Sequence, residues 1–109
     1  MPPPSLAQAL SRECTSAIRQ RGTSYFYGGR VRITSGTAWR LVATVRGTSA
    51  YRVEMAREGE TVRATCSCPY FDVSLCKHIW ATVLAADAQR LLLGDGDNGN
   101  VRLLHPVWS

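Results

Sequence analysis

The chain has 109 residues, a formal net charge of +5 and a pI near 9.4. This length is that of one small domain, in which apolar burial alone gives marginal stability and a bound metal would help. Hydrophobic residues make up 45% of the chain, but no apolar run reaches the roughly 18 residues that a membrane-spanning helix needs, which excludes that class.

The N-terminal MPPPSLAQAL has neither a basic lead nor a long apolar run, so the sequence predicts no signal peptide and a cytoplasmic location. Cysteines in a reducing compartment are more often metal ligands or core thiols than disulfides. All but one of the 13 basic residues are arginines. A positive chain favours polyanionic partners, and arginine can fork onto phosphate oxygens where lysine acts as a point charge.

The first predicted element is a helix. Ser5 and Gln8 have the spacing of a capping box, and Gly22 supplies a stop. Apolar side chains recur between them at helical spacing: Leu6, Leu10, Cys14, Ala17 and Ile18. The sequence therefore predicts an N-terminal helix within residues 1–22 that packs on the domain, with Cys14 as a small apolar thiol on its buried face.

From Tyr25 the apolar period changes to two, which predicts short strands. Four segments with turn signals between them fit this pattern: GGRVRITSG, TAWRLVATVRG, SAYRVEMARE and ETVRATCS. One face is apolar, through Val31, Ile33, Leu41, Ala43, Val45, Tyr51, Val53, Met55, Val62 and Ala64. The opposite face presents arginines together with Glu54: Arg32, Arg40, Arg46, Arg52 and Arg63. The pattern predicts an antiparallel sheet of three or four strands packed on one side.

The segment KHIWATVLAADAQRLLLG is helical in pattern, with an apolar stripe of Ile79, Trp80, Val83, Leu84 and Leu91 and a stop at Gly94. We therefore expect an α+β fold, in which this C-terminal helix packs on the sheet. The expected divisions are the N-terminal helix at 1–22, a zinc-binding domain at 23–93, and a flexible turn with an apolar tail at 94–109.

The zinc prediction comes from the cluster CSCPYFDVSLCKH. Cys66 and Cys68 point to the same side of an extended segment, and Pro69 ends the strand so that the chain can turn back. Cys76 and His78 follow at the start of a helix, where the dipole favours a thiolate and a neutral imidazole. Three thiolates and one imidazole suit Zn²⁺ in a closed structural site.

Other uses of the cluster fit less well. Core cysteines clustered by chance are an alternative, and a redox pair lacks the C-x-x-C spacing. A catalytic zinc keeps one position open for water, whereas four protein ligands close the shell. Asp72 is the one carboxylate between the two ligand pairs, and we interpret it as a helix cap or surface charge. The sequence predicts no enzyme.

The C-x-C, then C-x-H arrangement, written here as CSCPYFDVSLCKHIWATVLA, resembles the SWIM zinc finger. The upstream RGTSYFYGGRV and AYRVEM are similar to the segment preceding this finger in bacterial helicase-like, chromatin-remodeller-type ATPases. The resemblance implies a small zinc module that binds DNA or proteins, with Cys66, Cys68, Cys76 and His78 as ligands. Trp80 is bulkier than the small residue expected at its position. The chain contains no GxxxxGK[ST] phosphate loop, so it resembles the accessory part and not the motor.

Two functions remain open. In the first, the arginine face and Lys77 bind a nucleic-acid backbone, DNA above all, beside a partner enzyme such as a helicase-like ATPase. In the second, the module is a protein-interaction adaptor with an apolar surface comprising Tyr70, Phe71, Leu104 and Trp108. The first predicts steep dependence of binding on salt, and the second predicts weak dependence. Charges placed on the face only for solubility are the third interpretation.

Overall fold

The computed structural model describes residues 6–11, 14–47, 49–59, 61–67 and 77–92, together with the backbone of 102–104. Its helices are α1 (Leu6–Leu10), α2 (Ser16–Tyr27) and α3 (Lys77–Ala88). Its strands are β1 (Val31–Gly36), β2 (Arg40–Arg46), β3 (Ala50–Glu58), β4 (Thr61–Cys66) and β5 (Arg102–Leu104). The predicted α+β class is confirmed, and in sequence the antiparallel strands β1 to β4 lie between the N-terminal helices and α3.

The sheet has the strand order β1-β2-β3-β4-β5, so the first four strands form an antiparallel meander. Strand β5 adds to the edge of β4 in parallel orientation, with Leu103 opposite Val62. In the sequence this part of the tail is apolar and shows no strand pattern, so the strand was not predicted. Three residues are too few to show a period, and their pairing depends on a contact that is distant in sequence.

The two faces of the sheet differ in composition, as the alternation predicts. We call the face that packs against the helices the inner face and the opposite one the outer face. The inner face contributes seven side chains that are at most 2% exposed: Leu41, Ala43, Val45, Val53, Met55, Val62 and Ala64. From α3, Ile79, Trp80 and Val83 are buried in the same core. The predicted apolar faces of the sheet and of α3 therefore meet.

The N-terminal region forms two helices, where the sequence predicted one. Thr15 interrupts the helical path because its hydroxyl accepts a hydrogen bond from the Ile18 N–H at 3.2 Å and so caps a new helix. Leu6, Leu10 and Cys14 are buried as predicted. Ala17 is exposed, since the helical register restarts at Ser16. The proposed cap Ser5 lies outside the described residues.

Gly22 does not end a helix, and Tyr25 does not begin a strand. Helix α2 continues through both and ends before Gly28. Gly22 is buried where α2 crosses α3, and a Cβ there would lie 2.6 Å from Cδ1 of Trp80. The glycine therefore permits close approach of two helices and leaves room for the bulky Trp80, whose indole N–H donates to the Thr23 hydroxyl at 3.4 Å.

Helix α3 ends at Ala88, before the predicted stop at Gly94, which lies outside the described residues. The Leu91 N–H donates to the Ala86 carbonyl at 2.8 Å and the Arg90 N–H to the Asp87 carbonyl at 3.2 Å. With Arg90 at φ 58°, these bonds form a Schellman motif without glycine. None of the helices in the described ranges is long and apolar enough to cross a membrane.

Candidate metal centre and arginine face

Two of the four predicted zinc ligands meet in the structure. Cys66 ends β4 on the inner face, and His78 lies in the first turn of α3. The Cys66 Sγ is 3.7 Å from the His78 Nδ1, although the residues are 12 positions apart. Both are buried, at 8% and 3% exposure. The strand and the helix thus bring a thiol and an imidazole nitrogen together inside the domain.

The distance between these atoms fits a shared zinc ion. Tetrahedral geometry with Zn–S near 2.3 Å and Zn–N near 2.05 Å places two such ligand atoms about 3.6 Å apart. The other two predicted ligands, Cys68 and Cys76, lie outside the described residues, as does Asp72. Within the ranges that are described, no group of three metal-ligating side chains occurs. The described pair matches one edge of the predicted tetrahedron.

The imidazole of His78 is packed between two tyrosines. The Tyr51 ring stacks on it at a centroid distance of 4.5 Å, and the Tyr25 ring meets it edge-on at 5.4 Å. Its Nε2 is buried and has no hydrogen-bond partner in the described part of the chain. A Cβ on Gly47 would lie 3.6 Å from that Nε2 and 3.1 Å from the Tyr25 Oη. Helix α2, strand β3 and the β2–β3 turn thus surround the ring.

The five predicted arginines of the sheet all lie exposed on the outer face: Arg32, Arg40, Arg46, Arg52 and Arg63. They fall in cross-strand rows. Arg40 and Arg63 lie on either side of Ala56, two strands apart and therefore separated by about 10 Å. The small Ala56 leaves a shallow depression of about 210 Å³ between these arginines. Arg32 and Arg52 flank Thr44 in the same way.

Two carboxylates share this face, Glu54 and Glu58. The Arg52–Glu54 pair is 3.5 Å apart and the Arg63–Glu58 pair 3.9 Å, with every side chain more than half exposed. Exposed pairs of this kind contribute little to stability. With five arginines and two glutamates, the described outer face has a net charge of +3, compared with +5 for the whole chain.

Lys77, predicted to act with these arginines, lies on the helical side of the sheet. Its Nζ is 5.4 Å from the centroid of the Tyr25 ring. Arg30 was not among the predicted residues, and its guanidinium carbon is 5.5 Å from the centroid of the same ring. Arg57 was missed too, although it alternates in register with Val53 and Met55 and so belongs to the inner face of β3. It is 3% exposed and donates to the Leu92 carbonyl at 2.8 Å, so it serves the core.

The surface predicted for a protein adaptor is only partly described. Tyr70, Phe71 and Trp108 lie outside the described residues. Leu104 belongs to β5, where its backbone is in register with Arg63 of β4. Of the four residues predicted for this surface, Leu104 alone is described, and it belongs to the sheet.

The comparison with protein families identifies one segment. Residues 51–87 match the family model of the SWIM zinc finger. The match covers most of β3, all of β4 and most of α3, and it includes all four predicted ligands. Helix α2, strands β1 and β2 and Gly47 precede it. No curated protein and no solved structure matches the chain. In this chain two N-terminal helices and two strands precede residues 51–87. Residues 51–87 are therefore a SWIM zinc finger, which is a zinc-binding module.

Proposed function

We propose that Cys66, Cys68, Cys76 and His78 bind one structural Zn²⁺ that links the end of β4 to the start of α3. The 3.7 Å between Cys66 Sγ and His78 Nδ1 supports this set. When bound, zinc would supply a cross-link between two elements that are separated in sequence by residues 67–76. A shell of four protein ligands has no open position for water, so this role is structural and not catalytic. Reduced thiols suit a cytoplasmic setting.

The ligand set is tested by metal content. We expect native mass spectrometry of the full chain to detect one zinc ion, and the variants Cys68→Ser and Cys76→Ser to lose it. The matched control is Cys14→Ala, since Cys14 is buried in the N-terminal region and lies outside the cluster. A Cys76→Ser protein that retains zinc at wild-type affinity contradicts the proposed set.

We further propose that the outer face binds nucleic acid, with DNA as the favoured ligand. The observation that carries the proposal is the position of five exposed arginines on one sheet face with only two glutamates among its described side chains. Arg32, Arg40 and Arg46 make no ion pair with any described residue. Guanidinium donors that no described carboxylate engages suit phosphate oxygens.

The arrangement favours contacts to a backbone over contacts to base edges. Rows of arginines about 10 Å apart across the strands present several positive charges to one polyanion at once. Neither a protruding helix nor a long ribbon is present on the described outer face to enter a groove. Binding would therefore be steered by charge and weakly selective for sequence, because phosphate contacts carry no sequence information directly.

In this proposal the protein is an accessory that brings a partner enzyme to nucleic acid. The chain has no phosphate loop of the GxxxxGK[ST] type, so ATP-driven movement would come from another polypeptide. The resemblance of residues upstream of the finger to helicase-like ATPases makes such an enzyme the partner of choice.

Fluorescence anisotropy with labelled single- and double-stranded DNA at two salt concentrations tests the proposal. We expect affinity to fall steeply with salt, and the variant with Arg40, Arg52 and Arg63 all replaced by Ser to lose binding. Any binding that this variant retains at low salt should have a salt slope smaller by about one for each arginine that no longer binds a phosphate.

A matched control separates this face from total charge. Replacing Arg40 and Arg63 by Ser removes two positive charges from the outer face, whereas replacing Arg21 and Arg90 removes two from exposed positions on the helical side. We expect only the first pair to weaken binding strongly. Equal weakening by both pairs contradicts an assigned face. Absence of binding at low salt favours the adaptor function with Tyr70, Phe71, Leu104 and Trp108.

A further inference from the structure

We propose that Tyr25 and Tyr51 clamp the His78 ring in the orientation that presents Nδ1 to the metal, and that zinc binding is thereby coupled to the docking of helix α2. The inference rests on the proposed ligand set. It concerns positioning residues that touch a ligand and do not themselves bind the metal.

The clamp follows from the two ring contacts. Tyr51 stacks on the imidazole with an interplanar angle of 29°, and Tyr25 meets it at 60° from another side. An imidazole wedged in this way cannot rotate about its Cβ–Cγ bond without displacing a tyrosine. Its Nδ1 therefore stays directed at the Cys66 Sγ, at 3.7 Å. Neighbouring side chains that fix the orientation of a ligand in the folded domain strengthen metal binding.

Gly47 completes the clamp from the β2–β3 turn. A Cβ at this position would lie 3.1 Å from the Tyr25 Oη, 3.2 Å from the Tyr51 Cε2 and 3.6 Å from the His78 Nε2. Three side chains thus converge on a backbone position that has no side chain. A methyl group there would press on both tyrosines that hold the imidazole.

Helix α2 is tied to the same region of α3 by more than Tyr25. Gly22 packs against Trp80, and Thr23 accepts a hydrogen bond from the Trp80 indole N–H at 3.4 Å. The Lys77 ammonium lies 5.4 Å from the Tyr25 ring centroid. These contacts bracket His78 in sequence, so undocking α2 would remove one side of the clamp. By linkage, zinc bound to His78 must in turn favour the docked helix.

The clamp also extends the metal centre beyond the matched finger. Tyr25 and Gly47 precede residue 51, where the family match begins, and only Tyr51 lies at its edge. The N-terminal region is therefore part of the zinc site in this chain and not a separate attachment.

Competition between the full chain and a colorimetric chelator for zinc tests the clamp. The variants Tyr25→Leu and Tyr51→Leu retain apolar bulk but lack the aromatic ring, and we expect zinc affinity to fall about tenfold in each. Tyr25→Phe retains the ring and should match the wild type. The matched control is Tyr27→Leu in the same helix, because Tyr27 is 80% exposed and is not one of the rings packed on His78.

A second readout reports on the helix. Zinc should increase the hydrogen-exchange protection of α2 amides more in the wild type than in Tyr25→Leu. If Tyr25→Leu fails to fold, Gly47→Ala replaces it, since its methyl group acts on the same side chains. Zinc affinities of Tyr25→Leu and Tyr51→Leu equal to that of Tyr27→Leu overturn the clamp.

His78→Ala, measured in parallel, separates this inference from the ligand set. Weaker zinc binding in His78→Ala, with wild-type affinity in the tyrosine variants, overturns the clamp alone. Wild-type zinc affinity in His78→Ala overturns the ligand set and the clamp together.

Discussion

The two faces of the sheet are made by alternate residues of the same strands, but they differ in burial and charge. On β3, Met55 is 2% exposed in the core, while its neighbour Glu54 is exposed beside Arg52. The inner face carries the apolar core and lies against the helices that hold His78. The outer face carries the arginines on the side away from those helices. Stability and nucleic-acid binding are therefore expected to be separable by substitution, and four predictions test that separation.

Removal of zinc should have the largest effect. We expect a chelator, or the variant Cys76→Ser, to unfold at least the C-terminal half, because metal binding and folding are the same free-energy change in small zinc modules and amount to about 10 kcal/mol or more. Far-ultraviolet circular dichroism with and without chelator measures it. An unchanged spectrum after complete removal of zinc would show that the inner face is stable without the metal.

Gly22→Ala should follow. The added methyl group would lie 2.6 Å from the Trp80 Cδ1 and 2.8 Å from the Lys77 carbonyl oxygen, so α2 and α3 must separate. We expect a decrease of about 2 to 3 kcal/mol in the free energy of unfolding, measured by urea denaturation of the zinc-loaded protein. Ser24→Ala, at an exposed position of the same helix, is the control and should not be destabilised. A neutral Gly22→Ala would mean that the helices are not in close contact.

A pair of nearby substitutions compares the faces directly. Met55→Ala empties part of the core and should cost about 2 to 4 kcal/mol of unfolding free energy. Arg52→Ala removes an exposed side chain with one exposed ion pair and should change stability by about 0.5 kcal/mol or less. DNA binding should show the reverse order once both proteins are folded and zinc-loaded. A large destabilisation by Arg52→Ala would show that the outer face also supports the fold.

Glu54→Gln should have the smallest effect and the opposite sign. It removes a negative charge beside Arg52 without changing the shape of the face, so DNA affinity should rise about two- to fivefold at low salt. The increase should shrink as salt is added, which an anisotropy titration at two ionic strengths would reveal. A decrease in affinity would indicate that Glu54 itself orients an arginine for binding.

The sequence was most informative where a local period or spacing carries the structure. The four antiparallel strands, the inner apolar set and the outer arginines all follow from alternation, which each strand displays within about five or six residues. The zinc finger was recognisable because its ligand spacing lies within thirteen consecutive positions from Cys66 to His78. Arg57 follows the same alternation although arginines are usually exposed. It shares the register of Val53 and Met55 and is therefore buried.

Prediction failed where a residue's role depends on a distant partner. Gly22 has the local properties of a helix stop, and only the approach of Trp80 explains a glycine inside α2. The same contact explains why a large residue is tolerated at position 80. Lys77 is basic like the sheet arginines, but the helix start places it over Tyr25 on the other side of the sheet. Strand β5 depends on pairing with β4, which precedes it by a long stretch of chain that includes α3.

The fold class, the two faces and the metal-binding motif could thus be predicted from the sequence, because side-chain periodicity and ligand spacing are properties of neighbouring residues. Three features required the folded structure: α2 runs through Gly22, Tyr25 and Tyr51 enclose His78, and Gly47 leaves them room. These features depend on close packing. Which side chains can share a small volume depends on elements that meet only when the chain has folded.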